Sequence, residues 1–190
     1  MDSKILQEEP HPWDSLALGV EDGTVHLTAS SEFNNDLRAD RGRLNTVAGG
    51  SGGWAAATNN LNQWIQADLG AIKGVIGVIT QGRSEDVQWV TSYKVNYSTD
   101  GSNYLPVLGS SGQVENFSAN SDSNSEVKNI FNSVVYAQFI RINPITWQKH
   151  ISLRFELLGT GYKLIHYDRP NKKGGGIALY CRESDKDVNE

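Results

Sequence analysis

The chain has 190 residues, a single cysteine and a formal net charge of -5 at pH 7. A domain of roughly 150 residues buries about two-thirds of its unfolded surface, so a disulfide or a structural metal is not needed to hold it together. The acidic balance argues against nucleic acid as a partner, because that surface requires concentrated basic charge. One cysteine excludes an internal disulfide, and four scattered histidines give no zinc spacing.

Residues 1–14 are predicted to form an N-terminal extension. They lack the apolar stretch of a secretory signal, and no apolar run in the sequence is long enough to span a bilayer. An added methionine or a fragment boundary would leave the natural compartment open.

Strand patterns dominate from about residue 24 to 158. Residues 63–69 and 138–142 have strand character, and the short β-branched run 75–79 is typical of a buried strand. Tyr93, Val95 and Tyr97 alternate with polar residues, and a following Asp-Gly pair predicts a tight reversal.

The clearest strand pattern is the run from Ile151 to Leu157. Its apolar residues alternate with Ser152, Arg154 and Glu156, which predicts one face on the core and one face in water. No segment shows a sustained helical stripe, so the sequence predicts an all-β fold, an antiparallel sandwich or jelly roll. We place this domain at residues 15–160 and treat 161–190, which is Gly-rich and then acidic, as a tail without a core of its own.

Four segments follow one another in the chain: LGVEDGTVHLTASSEFN, NQWIQADLG, QGRSEDVQWVTSYKVNYSTDG and IRINPITWQKHISLRFELLG. In residues and order they resemble the discoidin family, also called the coagulation-factor type C domain, over about residues 16–159. The resemblance implies a galactose-binding-like jelly-roll sandwich of about eight strands. It also implies a non-enzymatic module, used in lectin activity or cell adhesion, that binds ligands with loops at one end.

The chain departs from this family where a disulfide normally joins the first and last strands. The corresponding residues, 14–16 and 158–160, contain no cysteine. The resemblance implies an extracellular or cell-surface protein, whereas the missing bridge leaves synthesis in the cytoplasm without conventional secretion open.

A carbohydrate site is predicted from the loop that starts at Arg83, which is similar to that of the slime-mould discoidin lectins. Arginine beside carboxylates offers the donors and acceptors that neighbouring sugar hydroxyls need, and an aromatic ring can cover the apolar sugar face. The predicted galactose-binding residues are Asn34, Asn35, Trp54, Arg83, Glu85 and Asp86. The alternative for the charged residues is a surface ion pair without function.

Two other functions use the same loops. In a membrane-binding module, Phe33, Leu37 and Val87 would be the inserting tips while basic residues of the segment 31–43 attract anionic phospholipid. Recognition of a protein receptor or the extracellular matrix leaves no separate pattern. No cofactor is predicted to be required. Calcium stays open, because carboxylates are present without a contiguous calcium-loop pattern.

Several other features favour a structural interpretation. Residues 49–53 match G-x-S-x-G, but the strand and helix that a hydrolase nucleophile needs are missing from the pattern, so no catalytic residue is predicted. Trp64, Trp89 and Trp147 are expected in the core, and His150 is expected to be structural. The tail segment GYKLIHYDRPNKKGGGIALYCRES resembles a short strand-turn-strand piece of endonuclease domains of non-LTR retrotransposons, without their catalytic positions.

Overall fold

A computed structural model of the chain describes residues 15–47, 52–160, 162–167 and 177–182, the last two ranges by their backbone alone. The predicted N-terminal extension and residues 49–51 of the G-x-S-x-G match lie outside the described residues. The strands are β1 Leu16–Ala17, β2 His26–Ala29, β3 Trp54–Ala55, β4 Ile65–Gln81, β5 Trp89–Ser98, β6 Leu105–Pro106, β7 Phe117–Ser118, β8 Val127–Gln148, β9 Ser152–Gly159, β10 Tyr162–Tyr167 and β11 Ile177–Arg182. Two short 3-10 helices, Asn35–Leu37 and Ala39–Gly42, follow β2.

Two long strands, β4 and β8, connect the two layers of the sandwich. They pair antiparallel along most of their length, with register shifts in the middle that bend both strands. The first part of β4 pairs with β2 and its last part with β9, while the last part of β8 pairs with β5. The predicted antiparallel β-sandwich is therefore confirmed.

The core lies between the two layers and is apolar. In β5, Tyr93 and Val95 are fully buried while Lys94 is exposed, so the predicted alternation is present. The predicted reversal after β5 is also present: Gly101 has a φ of +72°, which favours glycine.

Strand β9 differs from its prediction. All eight of its residues are buried, including Ser152, Arg154 and Glu156, which were expected to face water. Loops return over this second face and satisfy its polar groups. The Glu156 carboxylate accepts hydrogen bonds from the backbone N–H groups of Val20 at 3.0 Å and Glu21 at 2.8 Å. A buried carboxylate is tolerated because backbone donors replace water.

The two ends of the sandwich domain lie side by side. Leu16 is paired with Gly159 and Ala17 with Leu158 in the antiparallel β1–β9 ladder. The Thr160 N–H donates to the Gly74 carbonyl at 3.1 Å. Backbone pairing therefore joins the neighbourhoods that the family resemblance links by a disulfide. Beyond them, β10 and β11 pair with each other.

Candidate functional site

Four segments meet at one end of the sandwich, which we call the loop end: residues 30–43, 52–63, 82–88 and 148–152. The Phe33 N–H donates to the Ala55 carbonyl at 2.9 Å, and the Ser84 N–H donates to the Gly52 carbonyl at 2.9 Å. Ala55 is the strand partner of Ser152. The segment 52–55 therefore lies between the other three and holds them together.

Arg154 holds the segment 82–88 in place from the core side and connects it to two neighbouring loops. Its Nε donates to the Gly82 carbonyl at 2.7 Å, and its Nη2 donates to the Ser123 carbonyl at 2.7 Å. Further bonds reach the Asn124 side chain at 3.0 Å and the Thr46 carbonyl at 3.4 Å. Burial lowers the pKa of Arg154. One buried guanidinium thus ties three loops to strand β9.

Arg83 lies in the loop that joins β4 to β5, directly after Gly82, whose carbonyl accepts the hydrogen bond from Arg154. Its Nη1 lies 3.3 Å from an Asp86 carboxylate oxygen and donates to the Gln88 side-chain oxygen at 3.1 Å. That Gln88 oxygen also accepts a hydrogen bond from the Ser152 hydroxyl at 3.2 Å. The side chains of Arg83 and Asp86 are 18% and 37% exposed. The structure thus brings together two of the predicted sugar-binding residues, while Glu85 is exposed beside them.

Phe33 supplies an exposed aromatic ring at the same end. The ring is 56% exposed and packs edge-to-face on His150, with the ring centroids 5.4 Å apart. A His150 ring nitrogen lies 2.7 Å from the Ala56 carbonyl oxygen, which fixes the imidazole and agrees with its predicted structural role.

The Phe33 ring and the Arg83 cluster are anchored close together. The Phe33 backbone is bonded to Ala55, and a Cβ placed on Gly53 would lie 3.4 Å from the Arg83 Cα. Gly53 and Ala55 are two residues apart, which in extended chain corresponds to about 7 Å. An aromatic side chain and a polar cluster therefore flank the same short segment.

Asn34 and Asn35 stand beside Phe33 and are both exposed. The Asn34 side-chain oxygen accepts a hydrogen bond from the Asp36 N–H at 3.0 Å and caps the first 3-10 helix. This bond uses the oxygen and leaves the amide group at the surface. Both asparagines therefore lie at the loop end, on the segment that carries Phe33.

Two predicted site residues are in the wrong place for their roles. Trp54 is fully buried: it is paired with Leu153, and its indole N–H donates to the Ser31 carbonyl at 2.9 Å, so it cannot stack on a ligand. Leu37 is 2% exposed, because the 3-10 helix turns it onto the domain, so it is not a membrane tip. Val87, in contrast, is 48% exposed.

Sequence reasoning missed other residues at the loop end. Gln88 connects Arg83 to strand β9, yet an isolated glutamine carries no pattern that would identify it. Val47 and Leu61 are exposed apolar side chains, at 57% and 67%, on two further loops. Of the tryptophans expected in the core, Trp147 packs against it, whereas Trp64 lies on the outer face of the sheet beside Arg141.

The described residues contain no cluster of three or more His, Cys, Asp or Glu side chains placed to hold a metal ion. In the same part of the chain, no helix is long and apolar enough to cross a membrane.

A two-layer antiparallel sandwich that gathers its polar and aromatic side chains on loops at one end defines a binding module of the discoidin class. Comparison with known families identifies the domain, because the family model of the F5/8 type C domain matches residues 26–157. The chain belongs to the F5/8 type C domain family. Domains of this class are non-catalytic binding modules.

Individual relatives agree with this assignment. Lactadherin of Rattus norvegicus is 39% identical over 156 residues, which cover 76% of this chain and 36% of lactadherin. The chain thus spans about a third of that relative's length. The structure of recombinant discoidin II of Dictyostelium discoideum is 34% identical with a TM-score of 0.69, covering 76% of this chain and 58% of discoidin II.

A more distant likeness concerns the fold alone. A carbohydrate-binding module of Clostridium perfringens, solved in complex with GalNAc-β-1,3-galactose, is 20% identical with a TM-score of 0.59. The match covers 75% of this chain and 99% of that module.

Proposed function

We propose that the chain is a non-catalytic module that binds a galactose-like carbohydrate at the loop end and acts outside the cell or at its surface. The observation that carries this proposal is the Arg83 cluster. Arg83 and Asp86, with Gln88, hold donors and acceptors together at the surface, as paired sugar hydroxyls require. The exposed Phe33 ring offers an apolar face beside them.

The cluster is suited to a ligand because little has to move. Gln88 is fixed by Ser152 of the buried strand β9, and the loop backbone is fixed by Arg154. A site whose groups are already in place loses less conformational entropy on binding. The exposed amides of Asn34 and Asn35 and the exposed Glu85 extend the polar surface around it. A shallow site of this kind is expected to bind a single sugar weakly and to gain strength through multivalency.

The direct test is calorimetric titration with galactose and with GalNAc-β-1,3-galactose. We expect a dissociation constant on the order of 1 mM, equivalent to about -4 kcal/mol. Arg83→Ala is expected to weaken binding at least tenfold, because it removes the charged donors. Lys128→Ala, at an exposed residue of β8 whose side chain contacts Ser15 and not the Arg83 cluster, is the matched control and is expected to bind like the original chain. Equal binding by Arg83→Ala and the original chain would refute the site.

The same titration tests the need for a metal. We propose that no cofactor is required, since the Arg83 guanidinium 3.3 Å away already balances the charge of the Asp86 carboxylate. Addition of a calcium chelator is expected to leave sugar affinity unchanged. A loss of binding that added calcium restores would show that calcium is part of the site.

One observation favours a second function, insertion into a phospholipid surface. Phe33, Leu61 and Val87 are large, exposed apolar side chains on three segments of the loop end, and Val47 is a fourth exposed apolar residue shortly after the first of these segments. The nearby charge does not favour anionic lipid, because Arg38 is paired with Asp40 at 3.1 Å and Arg43 donates to backbone carbonyls of residues 20 and 25. We therefore rank membrane binding below carbohydrate binding. Protein recognition by these loops ranks third, because no contact singles it out.

Vesicle sedimentation separates the two leading functions. The carbohydrate proposal predicts that vesicles with and without phosphatidylserine retain little protein, and that Phe33→Ser does not change this. Strong retention that Phe33→Ser abolishes would instead favour membrane insertion. Retention of the protein by the vesicles that contain phosphatidylserine, and not by those without it, would point to electrostatic recognition of anionic headgroups.

A further inference from the structure

A second polar surface lies on the side of the sandwich, on the outer face of the layer formed by β4, β8 and β5. Its central row places Gln66 of β4 and Asn96 of β5 on either side of Arg141 of β8. We call this surface the Arg141 platform, formed by Trp64, Gln66, Asn96, Tyr104, Arg141 and Asn143. None of these residues belongs to the loop-end segments, although Trp64 directly follows the segment 52–63.

The guanidinium of Arg141 is held in one orientation. Its Cζ lies 4.1 Å from the centroid of the Trp64 ring and 3.7 Å from that of the Tyr104 ring. Its Nε donates to the Gln66 side-chain oxygen at 2.8 Å, and the Tyr104 hydroxyl donates to the same oxygen at 2.6 Å. Two rings and one amide thus fix the plane of the guanidinium, because both cation–π contacts hold it against an aromatic face.

The outer edge of the guanidinium remains available. Within the part of the chain that the structure describes, no side chain or carbonyl accepts a hydrogen bond from Nη1 or Nη2 of Arg141. The side chain is half-buried, so its stem is packed while this edge reaches the surface. A planar pair of N–H groups in this position matches the two oxygens of a carboxylate.

Neighbouring polar groups suit a hydroxylated ligand. The Asn96 amide nitrogen donates to the Asn143 side-chain oxygen at 2.8 Å. The amide nitrogen of Asn143 and the side-chain oxygen of Asn96 have no hydrogen-bond partner among the described residues. Lys94, the strand partner of Asn143, is exposed on the same layer. Amide pairs of this kind can serve ring hydroxyls as donor and acceptor.

The charges around the platform are mixed. Burial raises the pKa of Tyr104, Arg141 lowers it, and the carboxylates of Asp100 and Asp68 raise it. Geometry rather than net charge therefore selects the ligand, because the planar pair of N–H donors fits the two coplanar oxygens of a carboxylate.

The geometry points to the Arg141 platform as a second binding site, which takes the carboxylate of an acidic sugar such as a hexuronic acid. The carboxylate accepts two parallel hydrogen bonds from Nη1 and Nη2, and the ring hydroxyls meet the Asn96–Asn143 pair. The site is independent of the proposed galactose site, because it uses none of the Arg83 cluster.

The test is a titration with glucuronate followed by backbone amide NMR shifts of the full chain. Glucuronate is expected to shift amides of residues 64–68, 94–98 and 139–143 with a dissociation constant on the order of 1–10 mM. Glucose has the same ring without the carboxylate and acetate has the carboxylate without the ring, so both are expected to bind at least fivefold more weakly. Equal shifts by glucose would refute the carboxylate contact, and equal shifts by acetate would refute the sugar contact.

Gln66→Glu is the most informative variant. It keeps the acceptor for Arg141 and Tyr104, and its second oxygen can accept from the Thr28 hydroxyl, which lies 3.4 Å from the Gln66 amide nitrogen. The fold is therefore expected to be preserved, while the new charge neutralises Arg141 and weakens glucuronate about tenfold. Arg141→Met removes the donors and keeps an apolar stem between the rings, with the same expected loss.

Two controls separate this site from the loop end. Lys128→Met removes a positive charge elsewhere and is expected to leave glucuronate binding unchanged. Arg83→Ala is also expected to leave it unchanged, even though it abolishes galactose binding. A folded Gln66→Glu chain that binds glucuronate as the original does, or a loss caused by Arg83→Ala, would overturn the inference.

Discussion

Two arginines at the same end of the sandwich have opposite roles. Arg154 is 1% exposed and donates to acceptors in three loops, whereas the Arg83 side chain is 18% exposed and contacts Asp86 and Gln88 of its own loop. The buried arginine holds the loops in place, and the surface arginine presents its donors on them. Residue type alone does not distinguish a structural from a binding arginine, whereas the exposure of the side chain does.

The largest effect is expected from the buried arginine. Arg154→Met keeps much of the side-chain volume but leaves the carbonyls of Gly82 and Ser123 without their donor, each at a cost of about 1–3 kcal/mol. The free energy of unfolding is expected to fall by about 3 kcal/mol. Urea denaturation measures it, with Lys128→Met as the control. A loss below about 1 kcal/mol would mean that Arg154 does not hold the loops together.

Tyr93 extends the comparison to a buried polar group of the core. It is fully buried, and its hydroxyl accepts a hydrogen bond from the Asn129 amide at 3.1 Å. Tyr93→Phe is expected to cost about 1 kcal/mol at pH 7, because Asn129 keeps its second bond to the Ser118 carbonyl.

The same residue predicts a pH dependence. Burial raises the pKa of Tyr93 above the ordinary value of 10.0, so the folded chain keeps a proton that the unfolded chain releases. Stability from this group is therefore complete below pH 10 and is lost as the pH rises above it. Urea denaturation at pH 7 and pH 11 is expected to show a smaller decrease for Tyr93→Phe than for the original chain. Equal decreases in the two proteins would rule out Tyr93 as a source of the alkaline loss.

The surface arginine is expected to matter little for stability. Arg83→Ala removes the partly exposed ion pair with Asp86 and the hydrogen bond to Gln88, each of which contributes about 1 kcal/mol or less. The melting temperature is expected to fall by no more than about 4 °C, while galactose binding weakens at least tenfold. A large drop in melting temperature would place Arg83 with Arg154 among the structural residues and remove the contrast between them.

The smallest effect is expected from removing the tail. The sandwich is closed by the β1–β9 ladder and by the bond between Thr160 and Gly74, and β10 has β11 as its strand partner. Truncation after Thr160 is therefore expected to change the melting temperature by about 2 °C or less and to leave sugar binding intact. A drop of several degrees would show that residues 161–190 belong to the domain. The resemblance of this tail to an endonuclease fragment stays a prediction.

The sequence predicted local features well. The strands β5 and β9 were found because their apolar residues recur every second position, and Arg83 and Asp86 were selected together because their loop resembles that of the discoidin lectins. The second buried face of β9 was missed, since it is covered by loops that are distant in sequence. Polar residues on that face look like solvent-facing residues until the positions of those loops are known.

The errors at the site have the same origin. Trp54 stands beside a Gly-rich segment and was expected to be exposed, yet pairing with β9 places it in the core. Leu37 was expected near a tip, and a short 3-10 helix turned it inward. Gln88 was missed because its role depends on Ser152, which is 64 residues away in the chain.

The central claim is that the loop end binds a carbohydrate through the Arg83 cluster, whose loop Arg154 holds in place. The most direct measurement is amide NMR of the full chain during a galactose titration. The claim predicts that shifts concentrate in residues 33–35, 53–56, 83–88 and 150–152, and that Arg83→Ala abolishes them while its other signals stay in place. Shifts spread over both layers, or shifts that persist in Arg83→Ala, would contradict it.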